Sequence, residues 1–160
     1  MDQSISQDSL LVPMGKIVLK ATTIPFVARD HLVVDGNGAM KTSHFNDNFV
    51  AWFLGKVEPP FAGSTLHYRK LSCYSPDGPI IAKLGGGKEA ETSLVELFLL
   101  LMGGQLNDKG VPGIFYIKDI NDVLRAVGTL LNGRDRIIDA ESIMHPRGWD
   151  AGSQVFSRYS

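Results

Sequence analysis

The sequence predicts an α+β fold: a mainly antiparallel sheet packed around one buried helix at about 93–102, with a second short helix at about 46–54. Three observations carry this reading. The only long apolar run, Leu94 to Met102, is interrupted by the single polar residue Glu96. It has a start signal in Ser93 and Glu96, spaced as a capping box, and a stop signal in Gly103-Gly104, where a left-handed residue can end a helix. Most other apolar segments are short and strand-like. The run is apolar on nearly every side, so it has to be wrapped by other elements. It is also too short to cross a bilayer, which takes about 20 residues.

The remaining elements follow in chain order. Residues 1–9 are polar and read as a flexible N-terminus, and 10–160 read as one α+β domain. Lys16–Lys20 and His31–Asp35 are expected strands, and Pro25 confines the stretch between them to an edge, bulge or turn. Asp35-Gly36-Asn37-Gly38 is a turn signal. Phe45, Phe49, Trp52 and Phe53 recur at helical spacing, with Ser43 or Asn46 as the cap. Thr65–Tyr74 and Pro79–Leu84 read as strands around the turn Ser75-Pro76-Asp77-Gly78. Gly113–Lys118 is a strand and Asp119–Asp122 a turn. Residues 123–131 read as strand, with helix over 121–131 as the alternative. Asn132-Gly133 is the hairpin signal that favours strand, and Arg136–Ile143 is its partner. Gln154–Arg158 is a short last strand.

Composition narrows the function classes. The chain of 160 residues is 44% hydrophobic and 21% charged, as a globular domain is. Sixteen basic residues face seventeen acidic ones, for a net charge of -1. From Lys109 to Ser160 there are seven basic and six acidic residues. Nucleic-acid binding has no electrostatic support from this balance. No span predicts membrane insertion. Cys73 is the one cysteine, and Met1–Asp8 lacks the basic and apolar regions of a signal peptide. Both features point to the cytoplasm as the expected location.

No motif brings a cofactor or metal with it. Gly85-Gly86-Gly87-Lys88 has the glycines of a phosphate loop, but the Walker pattern needs glycine at Ala82 and Ser or Thr at Glu89. It reads as a connector with acidic residues in the first helical turn. His31, His44, His67 and His145 lack metal-ligand spacing. His67 and Cys73, on one expected strand, would lie about 20 Å apart, which excludes an ion pair. Cys73 then reads as a small, half-buried residue.

Two functional classes remain. The leading expectation is a non-enzymatic interaction or structural protein that self-associates as a homo-oligomer. Arg147, Trp149 and Tyr159 are its binding residues, because arginine and aromatics anchor interfaces. They flank the short terminal strand, whose edge would pair with a second copy. The alternative within the fold is that this strand pairs internally and Phe156 fills the core. The second class is a small cytosolic enzyme with an acid/base site from Asp30, His31 and His44.

Three segments carry a resemblance: Phe26–His31, Phe53–Ser64 and Gly148–Arg158. They are similar to stretches of small bacterial proteins of uncharacterised function. The resemblance covers most of the chain and implies a single-domain architecture. It implies no activity.

Overall fold

The computed structural model describes residues 10–33, 44–106, 110–132 and 135–158. Among them are ten strands and five short helices, in an α+β arrangement. The strands are β1 (Leu11–Leu19), β2 (Phe26–Val27), β3 (His44–Phe45), β4 (Val57–Glu58), β5 (Ser64–Leu71), β6 (Glu91–Thr92), β7 (Gly113–Lys118), β8 (Leu124–Asn132), β9 (Asp135–Ser142) and β10 (Gln154–Ser157). The helices are α1 (Ala28–His31), α2 (Asp47–Phe53), α3 (Asp77–Lys83), α4 (Gly87–Ala90) and α5 (Leu94–Met102).

The main sheet runs β1-β5-β10-β7-β8-β9-β3, with β6 paired to β7 off that path. It is mostly antiparallel, but β10 and β6 each run parallel to β7, and β3 runs parallel to β9. β2 and β4 form a separate antiparallel pair.

β7 explains the layering. Phe115 and Ile117 enter one core, which also holds Phe49 and Phe53 of α2 and Leu94, Leu97 and Leu100 of α5. Ile114 and Tyr116 enter a second core with Ile80, Leu84 and Ala90 from α3 and α4. Side chains alternate along a strand, so a strand covered on both faces must be apolar throughout. This is why Ile114–Ile117 turns no polar side chain outward and carries only the Tyr116 hydroxyl as a polar group. Val155 and Phe156 of β10 split between the same two cores.

α5 begins as its cap signals require. Ser93 Oγ accepts from Glu96 N, and Glu96 Oε1 accepts from Ser93 N at 2.8 Å. The end is set by Gly104, at φ 78°. The leading residues of α5 are buried, whereas Phe98 and Leu99 are partly covered and Met102 is exposed. Burial of Glu96 is matched by charge: Arg158 grips its carboxylate through Nε and Nη2, at 2.8–3.1 Å. Ser64 Oγ donates to its other oxygen at 2.5 Å. The paired carboxylate raises the Arg158 guanidinium above its ordinary value, against the pull of burial. Glu58 seats both carboxylate oxygens on the free amides of Leu94 and Val95, each at 2.9 Å, where the helix dipole favours an anion.

Several expectations change. The expected strand Pro79–Leu84 is instead the end of α3, with Leu84 as its cap residue. Ile80 and Leu84 stand four apart and both enter the second core, and Pro79 falls in the first turn, where its missing N–H costs nothing. The apolar helical spacing therefore outweighs the β-branched run. Ala28–His31 is one helical turn, closed by Leu32 N–H to the Ala28 carbonyl at 2.8 Å, so no strand begins at His31. Val34, the Asp35–Gly38 turn, Ser43, Gly133 and Tyr159 lie outside the described residues. Gly85-Gly86-Gly87 leads into the four-residue α4 and then β6, before α5 starts. β5 stops at Leu71, and Cys73 is exposed beyond it. A single helix wrapped by the sheet gives way to helices on both faces.

Other expectations match. Residues 124–132 are strand and pair with β9 through Asn132↔Asp135. Asn46 caps α2 by accepting from Phe49 N at 2.9 Å. β7 has the expected bounds. The 119–122 turn is built on Asp119, which accepts from Asn121 N, Val123 N and Arg125 Nε. Burial pushes this carboxyl up, but those three donors together hold it below the usual aspartate value. No helix among the described residues is long and apolar enough to cross a membrane.

Leu97 is fully buried between α5 and the sheet. Leu97→Ala should lower unfolding free energy by about 2–5 kcal/mol. Urea denaturation measures it, and a loss under about 1 kcal/mol would contradict this packing.

Candidate functional site

The site grows from one buried hydroxyl. Tyr116 points into the second core, and its Oη needs a partner there. Asp77 supplies it: Tyr116 Oη donates to Asp77 Oδ1 at 2.7 Å. Trp149 Nε1 donates to the same oxygen at 2.8 Å. Asp77 is 2% exposed, and both donors converge on this one oxygen.

Local sequence explains how Trp149 reaches that position. Ser75 and Trp149 form an isolated antiparallel bridge, with N–H to carbonyl bonds of 3.0 and 2.8 Å. A side chain at Gly148 would meet the Ser75 carbonyl at 2.5 Å, so only glycine lets the two strands approach. Tyr74 Oη accepts from Gly148 N at 2.6 Å. The indole then lies over Gly128 of β8, where an added Cβ would sit 2.6 Å from the ring.

Gly128 faces Asp139 of β9 in register. Ile138 and Ala140 enter the first core, so Ile137, Asp139 and Glu141 project from the opposite face. On that face α4 lies against β7 and β10, and the β8–β9 side is left open. The result is a cleft of about 300 Å³, lined by Asp77, Gly128, Asp139, Glu141, His145 and Trp149 among others. This is the small end of the range for ligand pockets.

The electrostatics are uneven. Burial pushes the Asp77 carboxyl above the ordinary 3.8. The Trp149 and Tyr116 hydrogen bonds and the nearby His145 pull it down without cancelling that effect. The same burial, with Asp77 beside it, raises the Tyr116 hydroxyl far above its usual value. Tyr116 thus remains a donor at all ordinary pH. His145 Nδ1 accepts from Arg147 N at 3.1 Å. Glu141 accepts from Asn48 Nδ2 at 3.3 Å. Asp139 Oδ1 is buried and has no partner. A buried acceptor without a donor costs roughly 1–3 kcal/mol. Chemically, the cleft offers a carboxyl with an unpartnered oxygen, an aromatic wall, and a second carboxyl that holds its proton longer than usual.

Of the expected binding residues, Trp149 and Arg147 line this cleft, and Tyr159 lies outside the described residues. Asp30, His31 and His44 do not come together in it. Asp30 and His31 are exposed on α1, with the His31 ring against Phe26 and Phe98 at 5.1 Å each. His44 is exposed on the edge strand β3. Among the described residues, no hydrogen bond, ion pair or ring contact joins His44 to the other two. The terminal strand is not an edge: β10 pairs with both β5 and β7, and Phe156 is buried.

Sequence reasoning missed Asp77 and Asp139. By its neighbours Asp77 reads as a turn residue. Asp139 and Glu141 alternate with apolar residues, which is the ordinary pattern of a solvated strand face. The available signals were Gly128 opposite Asp139 and the Gly148-Trp149 pair. A second hollow, of about 470 Å³, lies beside Lys56, Glu58, Phe61 and Arg158. Its charged groups already serve α5, since Glu58 caps the helix and Arg158 holds Glu96. Among the described residues, no group of three His, Cys, Asp or Glu side chains is placed to hold a metal ion.

Comparison with family models, with curated proteins and with solved structures finds no match to this chain.

The state of Asp77 gives a pH dependence with a definite sign. The unfolded chain releases this proton near 3.8, and the folded chain releases it later. The associated stability is complete below that value and is lost as pH rises through the folded value. Asp77→Asn keeps an Oδ1 acceptor and cannot ionise. Its stability relative to wild type should therefore improve from about pH 3.5 to about pH 7. Urea titrations at a few pH values read this, and parallel pH profiles would contradict it.

Proposed function

We propose that this chain is a binding protein for a small molecule rich in hydrogen-bond donors, held in the cleft under Trp149. The observation that carries the reading is the buried, unpartnered Oδ1 of Asp139 within a preformed cavity. Buried polar atoms are nearly always satisfied. Asp139 lines the cleft, and a donor that enters there and turns the carboxylate toward it gives that oxygen the partner the fold does not supply. The aromatic wall supplies contact area, and Asp77 and His145 supply further polar points.

The reading makes Asp139 a residue kept for ligand and not for the fold. Asp139→Asn should therefore leave unfolding free energy unchanged or raise it. Its effect should fall on binding. Trp149 fluorescence, read in a Trp52→Phe background, reports a panel of small polyols, amines, amides and carboxylic acids. A saturable change that Asp139→Asn weakens supports the proposal. A panel with no such compound, or an Asp139→Asn variant that unfolds more easily, argues against it.

Self-association is a second reading, now moved to another edge. Among the described residues, β1 pairs with β5 on one side only. It exposes Val12, Met14 and Val18 along that edge, and unpaired edges invite a further strand. Its bulge between Pro13 and Gly15 interrupts the pairing with β5. Light scattering should show a dimer that Val18→Lys dissociates. A wild-type monomer at tens of micromolar would remove this reading.

A further inference from the structure

We infer that the ligand of the Trp149 cleft is an organic cation, an alkylammonium of the size of a lysine side chain or a free amino acid. The inference rests on the cleft being a ligand site, and it goes on to the chemistry that the site selects.

Three independent features agree. The first is the acceptor itself. A carboxylate is acceptor-only, and Asp139 Oδ1 is buried with no arginine, lysine or amide turned to it. As the carboxylate stands, Oδ1 is closed to water while the rest of the half-buried residue faces the cleft; a charged donor that draws the carboxylate round into the cleft gains about twice what a neutral donor would. The second is the wall. Gly128, directly opposite Asp139 in the β8–β9 register, is the residue on which the indole rests. The aromatic ring is thereby fixed beside the carboxylate. A cation seated there meets a carboxylate and the edge or face of a π-system together, the pairing that recognises ammonium groups. The third is the balance of charge. Asp139 and Glu141 project from the same strand face two residues apart, roughly 7 Å along the strand. Asp77 adds a carboxyl that burial holds back from ionising. Against these stand His145 and Arg147, and the Arg147 side chain is exposed with no ion pair among the described residues.

Size limits the class. A cleft of about 300 Å³ holds roughly ten waters' worth of volume. That suits a ligand of about ten heavy atoms, not a peptide or a nucleotide. The geometry also separates this site from a metal centre, because no three ligating side chains converge among the described residues. Arg147 at the cleft distinguishes the two sources of the ammonium group. A free amino acid brings a carboxylate that can pair with Arg147, and a plain amine does not.

The test uses the full chain carrying Trp52→Phe, so that Trp149 is the only indole. Pentylammonium, lysine, 1-pentanol and pentanoate are titrated in turn, with Ca²⁺ and Mg²⁺ as metal controls. Pentylammonium or lysine should give a saturable change, and pentanol and pentanoate should bind at least about tenfold more weakly. Asp139→Asn should weaken the ammonium ligand by about tenfold or more without lowering its own melting temperature. Arg147→Ala should weaken lysine and leave pentylammonium unchanged if the source is an amino acid, and should affect neither if it is a simple amine. Pentanol or pentanoate binding as well as the cation would overturn the inference while leaving the cleft a ligand site. Ca²⁺ or Mg²⁺ displacing the amine would overturn it too. Failure of every probe here and in the wider panel would remove both.

Discussion

The hydroxyl of Tyr116 is the group that the arrangement around the cleft depends on. β7 is buried on both faces, so every side chain it carries must be apolar or paired. Tyr116 is the one residue of Ile114–Ile117 with a polar tip, and it lies wholly inside the second core. Asp77 must come to it. That requirement fixes the start of α3, since Asp77 is its first residue and packs beside Ile80. The Asp77 carboxylate then needs more than one donor, because it too is out of water. Trp149 supplies the second. The loop carrying Trp149 is pinned in turn by the Ser75 bridge and the absence of a side chain at Gly148. A chain of satisfied polar groups thus runs from the middle of the sheet to the cleft wall.

The same logic makes Asp139 stand out. Elsewhere the described structure matches its buried charges: Glu96 with Arg158 and Ser64, Glu58 with two helix amides, Asp119 with Arg125 and two turn amides, Arg136 with Thr129 and the Leu106 carbonyl. Asp139 Oδ1 is the one buried side-chain oxygen or nitrogen among the described residues left without a partner. In a structure that otherwise satisfies such groups, an exception inside a cavity points outward, toward something that arrives.

How much of this was legible in the sequence depends on whether the deciding force was local. The capping box at Ser93 and Glu96, the Asn46 cap, the 119–122 turn and the β8–β9 hairpin rest on near neighbours, and each is found where expected. α3 was misread because Pro79-Ile80-Ile81 has strand-forming residues, and the helix exists only because Ile80 and Leu84 have a second core to enter. That core lies on the sheet face that a one-helix reading leaves bare. The last strand was misplaced at an edge for a related reason. Its position between β5 and β7 depends on pairings with residues about 40 and 87 positions away, and a short segment carries no mark of them.

The cleft was illegible for a deeper reason, since it is made by what is missing. Glycine at 128 makes room for an indole, and glycine at 148 lets two backbones close. The face of β8–β9 is open because α4 covers β7 and β10 instead. None of these is a motif. Asp139 and Glu141 show the alternation of a solvated strand, and only the register that sets Gly128 against Asp139 turns that pattern into a site. His31, which the sequence made prominent as a titratable group, is instead used as a flat surface. His31 stacks on Phe26 within 15° of parallel and meets Phe98, so its ring covers the apolar edge of α5. His31 thus serves the packing of the fold, and the acid with an unmet oxygen is Asp139, half-buried in the cleft that Trp149 walls.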